Sequence, residues 1–350
     1  MEDYSDKESR FFDVNECKVC GSKLITAVLS NVKDNVSDAI EYNGSVFKCN
    51  DCKNAFFSPM LRPENLHQAY KGYYTQSKEN LEIASNTSYD RFGVFKDFYS
   101  YRYRKLKIKK GILISYASYL IPFLKFYLAR ASRFLRVPLK DNALTLLDVG
   151  CGRGDFLIRA KYCGYHATGI DFDPETVDIA VARGLSAVVG EIKDLPESIK
   201  YDAMTLSHVL EHVYDPRQLL KDILVRLKPG GYLYLATPNF NSAGRMAFGN
   251  DWRGLDAPRH LHLFNTVALK KLLKEIGYGP VEQVYDLPQS VGIIKSSFKL
   301  KSKHSKSLLQ SLKQCFLLIK YRFYHPNNLD VAVFKCYKFD AQNKVSSNIE

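Results

Sequence analysis

Residues 144–155 read LTLLDVGCGRGD, and their order decides the fold. An apolar run (Leu144, Leu146, Leu147, Val149) carries Asp148 near its end and breaks into a turn built on Gly150, Gly152 and Gly154. Phe156, Leu157, Ile158 and Ala160 then resume at a spacing that suits the buried side of a helix. Strand, tight glycine turn and helix, in that order, open a nucleotide-binding α/β unit. Glycine is needed there because the backbone bends sharply, in places with positive φ, and a side chain would block a ligand lying on the loop.

The turn alone does not choose its ligand; the residues after it do. Ala167–Asp173 reads as a second strand, and Asp171 stands 23 positions after Asp148. A carboxylate at that strand tip suits a grip on two ribose hydroxyls, so the expected ligand is a nucleoside. A dinucleotide turn of the form G-x-G-x-x-G would place glycine at 155, where this chain has Asp155. A carboxylate at that helix start competes with a pyrophosphate for the amide donors. S-adenosylmethionine has no phosphate and carries a sulfonium cation, so acids at 148 and 155 are tolerable and the spacing favours the methyl donor over NAD.

LLDVGCGRG (146–154), GIDFD (169–173), DLP (194–196), SHVLEHVYDP (207–216), LKPGGYLYLATPN (227–239) and DAPRHLHLF (256–264) follow one another in this chain. Together, over residues 144–287, they resemble class I S-adenosylmethionine-dependent methyltransferases. The branch most resembled acts on small molecules and includes ubiquinone-type O-methyltransferases and enzymes of sugar and cell-surface polysaccharide pathways. The resemblance implies an α/β fold: a Rossmann-like sheet of seven mostly parallel strands, the last pair antiparallel, with a small N-terminal zinc-ribbon-like module and helical additions. It also implies donor contacts from Asp148, Gly150, Cys151, Gly152, Asp171, Phe172 and His208, with Glu191 reaching the exocyclic amine of adenine and Ile192 its ring face. Cys151 and Cys163, lacking a partner motif, read as small packing residues.

The later strands are expected at Ser186–Val189, Tyr201–Leu206, Tyr232–Ala236, Glu282–Leu287 and Asp330–Phe339, with a helix at Thr266–Ile276 closed by Gly277. Pro288 suits an exit from a strand. Glu211 and His212 lie just past the fourth strand, at the carboxyl end where such sheets bind ligands. No Asn/Asp-Pro-Pro-Tyr sequence follows that strand, which argues against amino-methylation of bases. The long loop 240–264 holds the only tryptophan, Trp252, and the pair His260-x-His262, and is expected to cover the substrate. Three roles stay open for these groups: His260 or His212 as general base, His260 and His262 with Glu211 as metal ligands, or purely structural hydrogen bonding.

Cys17-x-x-Cys20 and Cys49-x-x-Cys52 are two identical pairs 28 residues apart. Two such knuckles complete a tetrahedral, closed and therefore structural site, for which zinc is the expected ion; redox or chance pairs are the alternative. Tyr70, Gly72, Tyr73 and Tyr74 resemble the tyrosine-rich segment that follows such a module in sugar-pathway methyltransferases, either packing it on the core or lining the substrate mouth.

Net charge is +13, but unevenly spread. The stretches between Asp97 and Asp141 and between Asp286 and Asp330 hold 19 of the 50 basic residues and no acid, so the remainder, with 31 bases against 37 acids, is mildly acidic. A uniform affinity for nucleic acid is not implied. Residues 101–136 and 295–322 are therefore either helices packed on the core with solvated cations or interfacial elements lying on an anionic membrane surface. The uncharged run Gly111–Leu124, interrupted by Pro122, is too short for a membrane span.

The expected organisation is a zinc module (1–60), a basic helical linker (61–140), a methyltransferase core (141–340) with insertions at 240–264 and 288–329, and a tail (341–350). A cytoplasmic location follows from the cysteine usage and the lack of a basic-then-apolar start, with peripheral contact at the inner membrane face. The leading substrate is a sugar, nucleotide-sugar or lipid-linked glycan; the alternatives are a quinone-like phenol, a small RNA, or no catalysis at all in a donor-binding scaffold.

Overall fold

The computed structural model describes residues 10–37, 39–70, 97–98, 109–120, 131–136, 144–304 and 329–339. Gly72, Tyr73, Tyr74, most of the basic stretch 101–136, the amphipathic segment after residue 304 and the tail 341–350 lie outside them.

The chain begins with β1 (Phe11–Phe12), β2 (Ile25–Lys33), β3 (Asn43–Cys49), β4 (Ala55–Ser58) and β5 (Met60–Leu61), then a 3-10 turn at Pro63–Tyr70 and helix α1 (Lys109–Leu120). The alternation of β6 (Thr145–Val149), α2 (Asp155–Tyr162), β7 (His166–Asp171), α3 (Pro174–Ala182), β8 (Ser186–Val189) and β9 (Tyr201–Ser207) builds the first half of the core. The second half runs through α4 (Pro216–Arg226), β10 (Leu227–Pro238), α5 (Ala243–Phe248), β11 (His262–Leu263), α6 (Thr266–Ile276), β12 (Tyr278–Val284), α7 (Leu287–His304) and β13 (Val331–Lys338).

Seven strands form one sheet in the order β12-β13-β10-β9-β6-β7-β8, parallel from β10 to β8, with β13 antiparallel to both neighbours. Successive residues of a strand point to opposite faces. Leu147 thus joins the cluster of Leu220, Ile223, Leu269 and Leu272 from α4 and α6, while Leu146 joins Phe156, Leu157 and Ala160 of α2. Two helices start by the same device, an aspartate followed by proline. Asp173 accepts from the Glu175 amide and Asp215 from the Gln218 amide, and the proline occupies the first helical position, where an amide would find no intrahelical partner. Asn265 caps α6 and Gly277, at φ 110°, closes it.

Two boundaries differ from expectation. Strand β12 is Tyr278–Val284, shifted toward the end of α6, and Pro288 sits in the first turn of α7 rather than after a strand. Both positions tolerate proline because neither requires its missing amide.

The N-terminal strands form a four-stranded antiparallel sheet in the order β11-β4-β3-β2. Its fourth member comes from the long loop of the core: His262 pairs with Phe56 and Leu263 with Ala55. The apolar cluster beneath is also shared, Val32, Tyr42 and Phe57 packing with Phe240, Phe248, Trp252 and Leu255. Trp252 donates its indole N–H to Asp330 at the entry of β13 (2.7 Å), and Ser242 donates its hydroxyl to the same oxygen (2.9 Å). The loop is therefore fixed to the core below and to the cysteine module above. Among the described residues, no helix is long and apolar enough to cross a membrane.

His262 is fully buried in this shared sheet, and burial pushes its pKa down to about 4. In the unfolded chain it titrates near ~6.5. The unfolded state takes up the proton first, so stability is complete above that value and falls as pH drops toward 4. The expected loss is about 3 kcal/mol. Urea unfolding between pH 7 and 4 measures it. His260, also held near 4, adds a like contribution of its own, so His262→Leu should lessen the loss between pH 7 and 4 by about 3 kcal/mol.

Candidate active site

The glycine turn closes over the end of β7: the Gly150 and Cys151 amides both donate to the Ile170 carbonyl, at 2.8 and 3.2 Å. Asp171 accepts from the Gly152 amide (2.7 Å) and from the Asp173 amide (3.1 Å), so the carboxylate at the tip of β7 ties the turn to the next helix start. Gly152 has φ 50°, and a Cβ placed there would meet nothing within 4 Å. Gly150 differs: at φ 71° its Cβ would lie 2.3 Å from Val209, so the segment after β9 packs directly on the turn. Phe172, next to Asp171 in the chain, is 57 % exposed.

Asp148, buried at the end of β6, accepts from the Thr205 hydroxyl and the Arg133 guanidinium. Burial raises its pKa against the opposing pull of Arg133, and its Oδ2 has no hydrogen-bond partner. Arg133 also donates to Thr205 Oγ1 (2.8 Å) and lies 3.8 Å over the Phe156 ring. Asp155 is paired with Arg183 at 2.7 Å. Glu191 is exposed and paired with Lys193 at 2.6 Å, while Ile192 is packed in the core beneath it. Cys151 is buried beside Gly169.

At the carboxyl end of β9, Glu211 is buried within reach of three histidines. Its Oε2 accepts from the Thr237 hydroxyl (2.9 Å); its Oε1 lies 3.3 Å from His208 Nδ1 and 3.9 Å from His260 Nε2 and has no good hydrogen bond. Burial by itself would raise the Glu211 pKa, but His208, His212 and His260 together hold it at about 2. Desolvation would lower that of His208, whose side chain is 40 % exposed, yet the charge of Glu211 3.3 Å away raises it overall. His208 reaches Gln289 of α7 through Nε2 (3.0 Å) and adopts φ 58°.

His212 and His260 stack edge to face, 4.6 Å between centroids. His212 Nδ1 lies 3.0 Å from the Arg259 carbonyl and 2.9 Å from the Tyr70 hydroxyl. A carbonyl only accepts while a hydroxyl can do either, so a proton on Nδ1 satisfies both contacts and leaves the lone pair on Nε2. The same logic places a proton on His260 Nδ1, 2.9 Å from the Gly254 carbonyl. Burial, then the neighbouring His212, lower the His260 pKa to about 4. Glu211, His212 and His260 offer one ligand atom each within 4.8 Å of one another. His262, expected beside His260 in any metal set, is instead turned into β11 against Phe264, and His212 takes that place.

The four sulfurs of Cys17, Cys20, Cys49 and Cys52 also lie within 4.8 Å of one another, with contacts of 3.5 Å (Cys17–Cys52) and 3.6 Å (Cys20–Cys49). Four sulfurs and no open position suit a structural zinc ion.

Sequence reading gave no site role to Arg133, Thr205, Gln289 or Arg259; Arg259 stands within DAPRHLHLF, and the other three lie outside the quoted motifs. Of the tyrosine-rich segment, Tyr70 stands at the site itself, bonded to His212 and edge-on to Phe172 at 5.9 Å.

A family model described as a methyltransferase domain matches residues 116–283. The mitochondrial ubiquinone biosynthesis O-methyltransferase of Candida albicans is 35 % identical over 113 residues, covering 29 % of this chain and 34 % of that protein. The ubiquinone biosynthesis O-methyltransferase of Marinobacter nauticus is 27 % identical over 173 residues, covering 42 % of this chain and 73 % of that protein. A third, from Xanthomonas oryzae pv. oryzae, is 37 % identical over 102 residues, covering 27 % and 43 %. The chain thus spans less than half the length of two of these three relatives. The crystal structure of a SAM dependent methyltransferase from Archaeoglobus fulgidus is similar at 20 % identity and a TM-score of 0.42, over 61 % of this chain and 94 % of that one.

The Glu211–His208 pair has a direct readout. In Glu211→Gln the carboxylate charge is gone, so the His208 pKa should fall from above its ordinary value back toward ~6.5. An NMR titration of the imidazole resonances measures the shift.

Proposed function

Because the chain belongs to the class I S-adenosylmethionine-dependent methyltransferases, we propose that it transfers a methyl group from S-adenosylmethionine to a hydroxyl of a quinone-like phenol. The observation that carries the donor half is the open glycine turn. Gly152 leaves room above it, Asp171 holds the rim, and Phe172 supplies an exposed face beside it. The Asp171 carboxylate would take the ribose hydroxyls, with Gly150, Cys151 and Gly152 as the floor, and His208 at the far side. Arg133, close to the unpartnered Asp148 Oδ2, borders the same turn.

The bound donor supplies a methyl group on a sulfonium centre that departs as a neutral thioether. What remains for the chain is to align the acceptor, exclude water and accept a proton. His212 is built for the last task. Its Nδ1 proton is held by the Arg259 carbonyl, so Nε2 is the free basic atom, and buried Glu211 favours the imidazolium that forms. His260, with a pKa near 4, is a weak base and serves better to orient the acceptor. The loop 240–264, anchored on both sides, shields this corner from solvent.

The phenol reading rests on the curated relatives. The sugar or lipid-linked glycan expected from the sequence has only the resemblance of the cysteine module behind it. One observation supports a second mechanism: the unpartnered Glu211 Oε1 beside two imidazoles could hold a divalent cation that polarises the acceptor hydroxyl. Zinc in the four-cysteine cluster belongs to the same proposal, as a structural ion. So does peripheral contact with an anionic membrane surface, supported by Leu113, Tyr116 and Leu120, which share one face of α1 and are 71, 68 and 78 % exposed.

Labelling, calorimetry and elemental analysis test the reading. Incubation with methyl-labelled donor and a dihydroxylated phenol should label the phenol; His212→Ala should slow this about 100-fold or more while S-adenosylhomocysteine affinity holds, whereas Asp171→Ala should weaken that affinity about tenfold or more by calorimetry. Labelling of a sugar acceptor alone would replace the phenol assignment. Elemental analysis of the purified chain should find one zinc per chain, lost in the Cys17→Ser/Cys49→Ser variant; paired disulfides without zinc would refute the metal.

A further inference from the structure

Arg259 is among the largest fully buried side chains of the protein, and its guanidinium is saturated with partners. Nη1 and Nη2 donate as a fork to the Asp34 carboxylate at 2.7 and 2.8 Å. Nε and Nη2 donate to Asp256 Oδ1 at 2.9 and 2.8 Å, and Nη1 also donates to the Ala69 carbonyl at 3.1 Å. Asp34 lies 225 positions away, in the cysteine module at the end of β2. It is itself fixed by the Val36 and Ser37 amides at 2.9 and 3.0 Å.

This one side chain governs both groups that touch His212 Nδ1. One is its own backbone carbonyl. The other is the Tyr70 hydroxyl, whose chain is held one residue earlier, at Ala69. The far oxygen of Asp256 lies 3.8 Å from His260 Nε2 and 3.0 Å from Arg253. A buried ion pair is a poor source of net stability, since desolvation offsets most of the attraction. Its value lies in geometry: a planar fork accepts only one arrangement of its carboxylates, which a lysine could not impose.

We propose that Asp34 and Arg259 are positioning residues for the histidine pair. The cysteine module, through the Asp34–Arg259–Asp256 array, fixes the proton of His212 on Nδ1 and so keeps Nε2 free for the acceptor. The module is then a working part of the acceptor half of the site, although none of its cysteines comes near the reaction. The kinetic arm of the inference rests on the methyl-transfer reading above; the tautomer arm does not.

The test is nitrogen-15 NMR of the imidazoles in the full chain. Wild-type His212 should show a single Nδ1–H tautomer. Asp34→Asn, which removes the charge at nearly constant shape, should give a mixture enriched in the Nε2–H form. With a dihydroxylated phenol as acceptor, its kcat should fall about tenfold or more, while affinity for S-adenosylhomocysteine stays within about twofold, because Asp34 makes its contacts with Arg259 and its own loop and not with the glycine turn. Should that variant fail to fold, Asp34→Glu retains the charge and displaces the fork by one methylene, with the same direction expected. An Nε2–H tautomer in the wild type overturns the proposal, and so does an unchanged His212 spectrum in a folded Asp34 variant. If the wild type labels no phenol, the acceptor assignment fails and the tautomer comparison still decides this one.

Discussion

The backbone around Leu261 is held from two sides, and most of the molecule depends on it. Its amide donates to the Glu211 carbonyl of the core at 2.7 Å, while its own carbonyl accepts from Phe57 of the cysteine module at 3.3 Å. The next two residues continue the contact as a strand pair with β4. A backbone that must satisfy buried amides has few places to go. Here it is fixed between the carboxyl end of β9 and the module's sheet, which carries His260 to Glu211 and His212 and determines where Trp252 and Phe240 are buried. Module, loop and core therefore share one set of hydrogen bonds.

The two buried carboxylates at the top of the sheet show how environment divides roles. Asp148 and Glu211 are both about as buried as the chain allows. Asp148 has one guanidinium at its edge, and burial still raises its pKa. Glu211 is surrounded by imidazoles and stays ionised down to about pH 2. The charge of Glu211 favours the protonated form of His208, whereas Asp148 anchors Arg133 next to the turn.

The parts of this arrangement that local rules govern were legible in the sequence. The turn at 150–154, the strand at Ser186–Val189, the helix at Thr266–Ile276 with its closing Gly277, and the cysteine quartet all appear where spacing and composition predict. Their information is short-range: a period, a cap, a pair of residues two apart. The pairing of Asp34 with Arg259 has no such signature, because each looks like a surface charge until the chain is folded. The choice between His262 and His212 was hidden for a related reason. In a strand, residues two apart share a face, which is why His260 and His262 looked like partners; but β11 begins only at His262, and His260 belongs to the preceding loop with a different orientation. Pro288 misled because proline fits an exit from a strand and the first turn of a helix equally well.

The shared sheet also has a consequence for synthesis on the ribosome. The cysteine quartet and strands β2 to β4 are complete by residue 58, but the strand that covers the edge of β4 lies about 200 residues further on. At ~5–20 residues per second this leaves the nascent edge bare for about 10–40 seconds. Phe57, buried in the finished protein, is translated long before Leu263 and Trp252 arrive to cover it, and Phe56 long before Leu261 and Phe264. A metal ion captured early by the four sulfurs would give that waiting hairpin a rigid base, and chaperones that bind exposed strands would have their longest opportunity on this part of the chain.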